Sequence, residues 1–268
     1  MAMSDIPVVI LCGGQGTRMR GNTLTKKELV EIGDRPVIWH VMRIFSAHGN
    51  NRFVLTLGFQ AEQIRRYFLE YEAMQRDFTI QLGEPDNQRN HPQLEFHGAV
   101  DHPPWRVTLA NTGLYTEKGS RIARVAEHLK NDERFFVSYG DDVSDVDLTA
   151  LEKFHRSHGK LATVTSVQVA FSYGVLETDV SDQVVAYHQY PQLPYWINGG
   201  FMLFERPVLD MLSAGDDVKL ESDVLANLAR DDQLMCYRHT GFWQSMNTMK
   251  DNIRLEELWQ QGAPWKVW

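Results

Sequence analysis

The sequence has little of what several protein classes require. Only two cysteines occur among 268 residues, Cys12 and Cys236, which are too few for a disulfide framework or a cysteine zinc site. No apolar run approaches the roughly 18 residues of a membrane span, and the N-terminus lacks the pattern of a signal peptide. Acidic residues outnumber basic ones by 35 to 27, and the net charge of −8 argues against a general nucleic-acid binder. These absences predict a cytoplasmic protein with reduced thiols and with neither nucleic-acid nor membrane partners.

The remaining composition is that of an ordinary globular protein. The hydrophobic share is 43% and the charged share 23%, so the chain can bury a substantial core. No repeat or flexible linker divides it. We therefore expect a single domain spanning residues 1–268.

Strand and helix patterns alternate along the chain. The predicted strands are residues 8–11, 52–57, 135–138 and 161–168, and the predicted helices are residues 37–47 and 61–71. This alternation predicts an α/β fold with a mainly parallel sheet, helices on both faces and ligands at the carboxyl ends of the strands. Residues 83–120, rich in His, Pro, Asn and Gln, are expected to form a long insertion over the sheet.

The first strand runs into a glycine-rich turn, VVILCGGQGTRM. Gly13, Gly14 and Gly16 let backbone N–H groups approach an anion, and Arg18 adds a planar fork of donors beside Thr17. The turn therefore indicates a phosphate site. Taken alone, it is also compatible with a simple tight connection between a strand and a helix.

A second turn, YGDDVSD, gathers acidic residues at another strand end. Asp141, Asp142 and Asp145 are spaced to hold a divalent ion that bridges a diphosphate. The alternative for Asp145, and for Asp147 after it, is to cap the helix that begins near Leu148.

Several motifs together resemble one known family. GGQGTRM, VEIGDRPVIWHVM, YGDDVSD, WINGGFMLF, HTGFWQSMNT and APWKVW follow in order along nearly the whole chain. In this respect the sequence resembles the sugar-1-phosphate nucleotidylyltransferases, in particular their glucose-1-phosphate cytidylyltransferase branch. The resemblance implies a Rossmann-like, GT-A-like fold of three layers, a nucleotide over the glycine turn, a divalent metal (Mg or Mn), and closed homo-oligomers. Neither flavin nor NAD is expected.

The resemblance also implies roles for individual residues. It assigns the glycine turn to the triphosphate, Asp141 to the metal, and Asn198 to the sugar. Lys27 matches the second lysine of a Lys-Pro-Lys-Pro run in the family, although both prolines are missing here. Hydrogen bonds to the base are expected from backbone groups near Leu11 and near Asn111 and Gly113.

The sequence departs from the family pattern at two places. Gln189–Tyr190–Pro191 stands where the family has Glu-Lys-Pro, so the lysine that grips the sugar phosphate is missing. Asn247 stands where the family has the second metal-binding aspartate, although an amide oxygen can still ligate a hard cation. Loss of one cationic contact of this kind costs on the order of a hundredfold in rate.

The missing charges favour a ligand whose diphosphate is already joined to its sugar. Our leading hypothesis is therefore a metal-dependent, flavin-free NDP-sugar pyranose–furanose mutase, of the kind that acts on GDP-fucose or GDP-rhamnose. The catalytic candidates are Asp141, Arg18, Lys27 and Tyr190. The sugar candidates are Glu177, Asn198 and Tyr195, and the metal candidates are Asp141, Asp142, Asp145 and Asn247.

Two other hypotheses stay open. The first is a working nucleotidylyltransferase that makes an NDP-sugar, and the second is a nucleotide-sugar binding protein without turnover. The base also stays open, because the mutase comparison favours guanine and the overall resemblance favours cytosine. Glu177, His188 and Tyr190 are the candidates for a general acid or base.

Overall fold

The computed structural model describes residues 5–15, 25–82, 93–98, 104–171, 173–192, 194–212 and 217–268. The strands are β1 (Val8–Leu11), β2 (Glu31–Ile32), β3 (Arg35–Pro36), β4 (Arg52–Leu57), β5 (Phe78–Gln81), β6 (Gln93–Phe96), β7 (Arg106–Asn111), β8 (Arg134–Tyr139), β9 (Asp142–Ser144), β10 (Ala162–Val167), β11 (Val175–Thr178), β12 (Val184–His188), β13 (Ile197–Asn198), β14 (Met202–Glu205), β15 (Leu234–Arg238) and β16 (Trp243–Ser245). The α-helices are α1 (Val37–Ala47), α2 (Ala61–Leu69), α3 (Lys118–Arg124), α4 (Leu148–His158), α5 (Ala226–Arg230) and α6 (Met249–Gln260). Shorter helical turns span Lys27–Leu29, Ala126–Leu129, Arg206–Leu212 and Leu220–Leu225.

One mixed sheet of eight strands organises the described residues. Its order is β15, β10, β14, β8, β1, β4 and β7, and β13 pairs with the far end of β10. The strands β8, β1, β4 and β7 run parallel to one another, whereas β14 and β13 run antiparallel to their neighbours. The expected α/β fold with a mainly parallel sheet is therefore confirmed.

Strand β1 shows why helices cover both faces of the sheet. Its four apolar residues are all buried, and successive side chains point to opposite faces. Val8 and Ile10 pack into the core that contains α1, α2, α4 and α6, whereas Val9 and Leu11 pack into the core that contains α3 and α5. The sequence pattern of a continuous apolar run is typical of such a strand, because neither face reaches water.

The predicted elements agree closely with the observed ones. The predictions for β1, α1 and β4 are confirmed to the residue, and the helix predicted over residues 61–71 ends two residues earlier, at Leu69. The strands predicted at residues 135–138 and 161–168 are observed as Arg134–Tyr139 and Ala162–Val167.

The segment expected to be an insertion, residues 83–120, differs from that expectation. Strand β7 lies within it and pairs in parallel with β4 as an edge of the main sheet, and α3 begins at Lys118. The side chains of β7 are exposed or only half-buried, so this strand lacks the continuous apolar run that marks the central strands. The hairpin of β5 and β6 forms a separate small sheet.

The C-terminal segment completes the core beside α1. Trp265 is fully buried, and its indole Nε1 donates to Nδ1 of the buried His40 at 3.3 Å. His40 Nε2 in turn lies 2.9 Å from the carbonyl oxygen of Ile32. The His40 side chain therefore has a structural role in this core. Within the part of the chain that the structure describes, no helix is long and apolar enough to cross a membrane.

Candidate active site

A cavity of about 510 Å³ opens at the carboxyl ends of the parallel strands. The glycine turn follows β1, and the acidic turn follows β8, so both motifs meet at one edge of the sheet. The lining residues are Leu11, Gly13, Gly14, Lys27, Glu28, Thr116, Glu117, Lys118, Arg121, Tyr139, Asp141, Asp142, Asn198, Trp243, Ser245 and Asn247. This is the position at which open α/β sheets bind their ligands.

The glycine turn is supported from below by a buried guanidinium. Arg121 of α3 is 3% exposed, and its Nη1 donates to Thr112 Oγ1 at 2.8 Å and to the Gly113 carbonyl at 2.7 Å. A Cβ on Gly13 would lie 2.2 Å from that nitrogen, so only glycine fits there without displacing the side chain. Arg121 thus joins the turn after β1 to the turn after β7.

The turn at residues 26–28 contributes two lysines, and neither is a solvated surface charge. Lys26 is 2% exposed, and its Nζ donates to the carbonyl of Gly14 at 2.5 Å. The same nitrogen lies 3.5 Å from Glu28 Oε2. Lys27 reaches into the cavity instead, where it forms an ion pair with Asp141.

Glu28 is a buried carboxylate at the wall of the cavity. Its Oε2 accepts no hydrogen bond from the described residues, and a Cβ on Gly140 would lie 3.0 Å from its Cγ. Burial raises the pKa of Glu28, Lys26 lowers it and the charge of Asp141 raises it, and together these effects bring the pKa to about 7. The carboxyl group therefore titrates near neutral pH.

The acidic turn places two carboxylates in the cavity. Asp141 accepts the ion pair from Lys27, and Asp142 is buried opposite Ser245, its register partner across the antiparallel pair of β9 and β16. Burial raises the pKa of Asp142 well above its usual range, and the neighbouring Asp141 raises it further, while a hydrogen bond with Ser245 lowers it.

Asn247 lies in the cavity, and both polar atoms of its side-chain amide form hydrogen bonds. Its Oδ1 accepts from Lys27 Nζ at 2.9 Å, and its Nδ2 donates to Ser245 Oγ at 2.8 Å. The ammonium of Lys27 thus lies between Asn247 and Asp141, which are two of the four side chains for which metal binding is predicted. Whether Asn247 also ligates a metal stays a prediction.

A third group of polar side chains forms the end of the cavity near Asn198. Asn198 Nδ2 donates to the hydroxyl of Tyr139 at 3.1 Å, and that hydroxyl donates to Glu221 Oε1 at 2.8 Å. The Nζ of Lys118 lies 4.9 Å from the centre of the Tyr139 ring and pairs with Glu221. Burial raises the pKa of Tyr139, and the charge of Glu221 raises it further, so the phenol stays protonated.

The loop after Asn198 is fixed by neighbouring backbone contacts. The Gly200 N–H donates to Asn198 Oδ1 at 2.9 Å, and Gly200 itself has φ of +73°, a conformation that favours glycine. Trp243 donates from its indole to the carbonyl of Gly199 at 2.8 Å. These contacts orient the Asn198 side chain toward the cavity.

Several predicted residues lie away from this cavity in the described structure. Glu177 and Tyr190 belong to the exposed hairpin of β11 and β12 and its following turn, and Tyr195 is 71% exposed. Glu177 pairs with His188 across that hairpin at 2.9 Å. None of these side chains lines the cavity with Asp141, and in the described part of the chain β11 and β12 form a separate two-stranded sheet.

Asp147 caps α4 by accepting from the Ala150 N–H, which confirms the capping alternative for that residue. Two other candidates do not line the cavity. Asp145 Oδ1 lies 2.9 Å from His239 Nε2. Asn111 ends β7 and accepts from the Gly113 N–H at 3.2 Å, so it orders the turn above Arg121 rather than lining the cavity. The predicted Gly16, Thr17 and Arg18 lie outside the described residues.

Eight lining residues were not among the predicted site residues: Glu28, Thr116, Glu117, Lys118, Arg121, Tyr139, Trp243 and Ser245. Tyr139, Trp243 and Ser245 lie in motifs that were noted for other residues, whereas the residues between 116 and 121 belong to no motif and reach the cavity only through the packing of the chain. A weak signal existed for Glu28 alone, because an acidic residue beside two lysines suggests an ion pair.

The donor set fits a divalent cation that is held jointly with phosphate. Asp141 and Asp142 offer carboxylate oxygens, which hard cations prefer, and Mg²⁺ is commonly bound by one or two carboxylates together with substrate phosphates. Among the described residues, no cluster of three or more His, Cys, Asp or Glu side chains could hold an ion by itself. A metal would therefore enter with a phosphate ligand.

The fold and the cavity together define a Rossmann-like α/β protein with a cavity of mixed charge at the carboxyl ends of its parallel strands. Residues 7–260 match the family model described as Nucleotidyl transferase. The chain belongs to this nucleotidyl transferase family, which confirms the family resemblance stated above.

Two curated relatives match along nearly their whole length. The chain is 39% identical to a glucose-1-phosphate cytidylyltransferase of Salmonella typhi over 263 residues, which cover 97% of this chain and 98% of that protein. It is 33% identical to a probable glucose-1-phosphate cytidylyltransferase of Bacillus subtilis over 270 residues, covering 97% of this chain and 99% of that protein.

A solved structure shares the fold. HddC from Yersinia pseudotuberculosis, in a complex described as containing GMP-PN, superposes with a TM-score of 0.65 at 18% identity, covering 95% of this chain and 99% of that one. At this identity the likeness supports the fold alone.

Proposed function

We propose that this protein transfers a nucleotidyl group from a nucleoside triphosphate to a sugar 1-phosphate, with CTP and glucose 1-phosphate as its substrates. The observation that carries the proposal is a single cavity lined by the glycine turn, by Lys27 with Asp141, and by Asn198. The names of the two bacterial relatives favour the same reaction and the same substrates. They favour this hypothesis over the mutase hypothesis that the sequence alone suggested.

The proposed reaction divides the cavity between its two substrates. A phosphate oxygen of the sugar 1-phosphate attacks the α-phosphorus of CTP, the bond from that phosphorus to the β-phosphate bridge breaks, and pyrophosphate leaves. Positioning and charge stabilisation supply most of the catalysis in such transfers. The triphosphate is assigned to the glycine turn and Lys27, and the sugar to the end near Asn198.

Lys27 is the cation best arranged to serve the reacting phosphates. It is held by Asp141 and Asn247 before a ligand enters, so its ammonium is already at the centre of the cavity. A divalent metal bound by Asp141, with Asp142 as a second candidate, would offset negative charge on the α-phosphate. The displaced Lys27 would then be free to donate to the phosphates.

The mutase remains a second candidate function because of one observation. Tyr190 and Gln189, which replace a charged pair of the family pattern, provide no cation, and Gln189 accepts a hydrogen bond from Tyr187 on the exposed hairpin. A finished NDP-sugar would not need a cation at that position. The missing carboxylate at Asn247 supports the mutase less well, because the buried Asp142 adds a carboxylate beside Asp141.

One assay separates the three hypotheses. Purified protein is incubated with magnesium and either CTP plus glucose 1-phosphate, or preformed CDP-glucose, GDP-fucose or GDP-rhamnose, and products are separated by chromatography. We expect CDP-glucose and pyrophosphate from the first mixture. An NDP-sugar isomer of unchanged mass from the second would support the mutase, and no product from any mixture would support a binding protein. GTP, UTP and dTTP in place of CTP then test the base.

A further inference from the structure

We propose that Lys118 binds the phosphate of the sugar 1-phosphate and so replaces the lysine that the family pattern has at the position of Tyr190. The inference rests on the proposed nucleotidyl transfer, because that reaction brings a sugar phosphate into the cavity. It names a residue for which neither the motifs nor the glycine turn gave a signal.

Lys118 lies close to the side chain that is predicted to bind the sugar. Lys118 lines the cavity at the same end as Tyr139 and Asn198, and its Nζ is 4.9 Å from the Tyr139 ring centre. Because the Tyr139 hydroxyl accepts from Asn198, the lysine and the predicted sugar residue share one polar cluster. A phosphate on a sugar held by Asn198 would therefore meet this ammonium.

The other described cations of the cavity are less suited to bind the sugar phosphate, because they are engaged in other contacts. Arg121 is 3% exposed and donates to the turn at Thr112 and Gly113. Lys27 lies between Asp141 and Asn247, at the centre of the cavity. The Lys118 side chain is 45% exposed, so it can turn toward an incoming dianion without breaking buried contacts.

The partner of Lys118 is also suited to a binding role. Glu221 pairs with Lys118, and its side chain is 42% exposed, so solvent weakens the ion pair and a dianionic phosphate can compete for the ammonium. Glu221 keeps its hydrogen bond from the Tyr139 hydroxyl when the lysine moves. The carboxylate thus holds Lys118 at the cavity until the substrate arrives.

Steady-state kinetics of the whole protein test the proposal. The Lys118→Gln variant should raise the KM for glucose 1-phosphate about tenfold or more, since a charge-assisted contact to phosphate is lost, while the KM for CTP stays within about twofold. Lys118→Arg should stay close to the parent. Lys130→Gln is the matched control, because Lys130 forms an exposed ion pair with Glu127 outside the cavity.

A second variant tests the competition with the carboxylate. Glu221→Gln keeps a hydrogen-bond acceptor for Tyr139 but removes the negative charge, so the KM for glucose 1-phosphate should fall by about threefold. A rise in this KM would contradict the assigned role of Glu221. Circular dichroism and thermal unfolding of each variant exclude a loss of folding as the cause of any change.

Binding of glucose 1-phosphate, measured by titration calorimetry, separates the two proposals. If the parent turns over CTP and glucose 1-phosphate but Lys118→Gln keeps both KM values, the role of Lys118 is wrong and the proposed function stands. If the parent shows no turnover yet binds glucose 1-phosphate more than about tenfold tighter than Lys118→Gln, the proposed reaction fails and the anion site stands. Equal binding by both proteins, or none, would overturn the role of Lys118.

Discussion

Substitution of Gly13 by alanine tests how the glycine turn is built. The added Cβ would lie 2.2 Å from Nη1 and 2.4 Å from Cζ of Arg121. Ordinary contact requires about 3.4 Å or more, so the guanidinium must move by more than about 1 Å. That movement breaks the bonds from Nη1 to Thr112 Oγ1 at 2.8 Å and to the Gly113 carbonyl at 2.7 Å.

The expected cost follows from those two hydrogen bonds. Each involves a charged donor in a buried position and is worth about 1.5–3 kcal/mol, so Gly13→Ala should lower the free energy of unfolding by about 3–6 kcal/mol. Gly14→Ala is the matched control, because a Cβ there has no atom of the described residues within 4 Å apart from its chain neighbours. This control should change stability by less than about 1 kcal/mol, since a Gly→Ala change at an unstrained position is close to neutral.

Urea unfolding of the two variants and the parent gives both numbers. A third protein, the double variant Gly13→Ala/Arg121→Ala, separates the clash from other effects, because it removes the three atoms that lie nearest to the added methyl group. Its stability should lie closer to that of Arg121→Ala than the sum of the two single losses predicts. A loss below about 1 kcal/mol in Gly13→Ala would refute the close packing of Arg121 beneath the turn.

Three further predictions concern titration and catalysis. The pKa of Glu28 is about 7 in the folded protein and 4.5 in the reference state, so the free energy of unfolding should decline as pH rises from 4.5 to 7. In urea unfolding at pH 8, Glu28→Gln should therefore be more stable than the parent by up to about 3 kcal/mol. Burial lowers the pKa of His40 from 6.5 to about 4, so the free energy of unfolding should fall as pH drops from 6.5 to 4. In His40→Gln, this fall between pH 6.5 and pH 4 should be smaller than in the parent by up to about 3 kcal/mol. Asp141→Asn should reduce the rate of pyrophosphate release by about a hundredfold or more, and an unchanged rate would exclude Asp141 from the mechanism.

The sequence predicted those parts of the fold that have a local signal. Strand β1 was predicted correctly because four consecutive apolar residues are buried on both faces. Strand β7 was not, because it lies at the sheet edge with exposed or half-buried side chains and falls in a segment rich in polar residues. Its pairing with β4 depends on the three-dimensional arrangement rather than on its own pattern.

In the candidate site, too, the residues that belong to a motif were predicted and those without a local signal were not. Lys27, Asp141 and Asn198 line the cavity as expected, because each belongs to a motif at a strand end or in a turn. Lys118 could not be predicted, because only the packing of α3 against the end of β8 brings it to Tyr139. Tyr190 was a candidate because it stands where the family pattern has a lysine, but it is exposed and does not line the cavity, so its role stays a prediction.

Transfer of label from α-³²P-CTP tests the central claim most directly. With glucose 1-phosphate and magnesium present, we predict that the label appears in CDP-glucose and that unlabelled pyrophosphate is released in equal amount. If the label stays in CTP while added GDP-fucose or CDP-glucose is converted to an isomer of the same mass, the assignment as a nucleotidylyltransferase is contradicted.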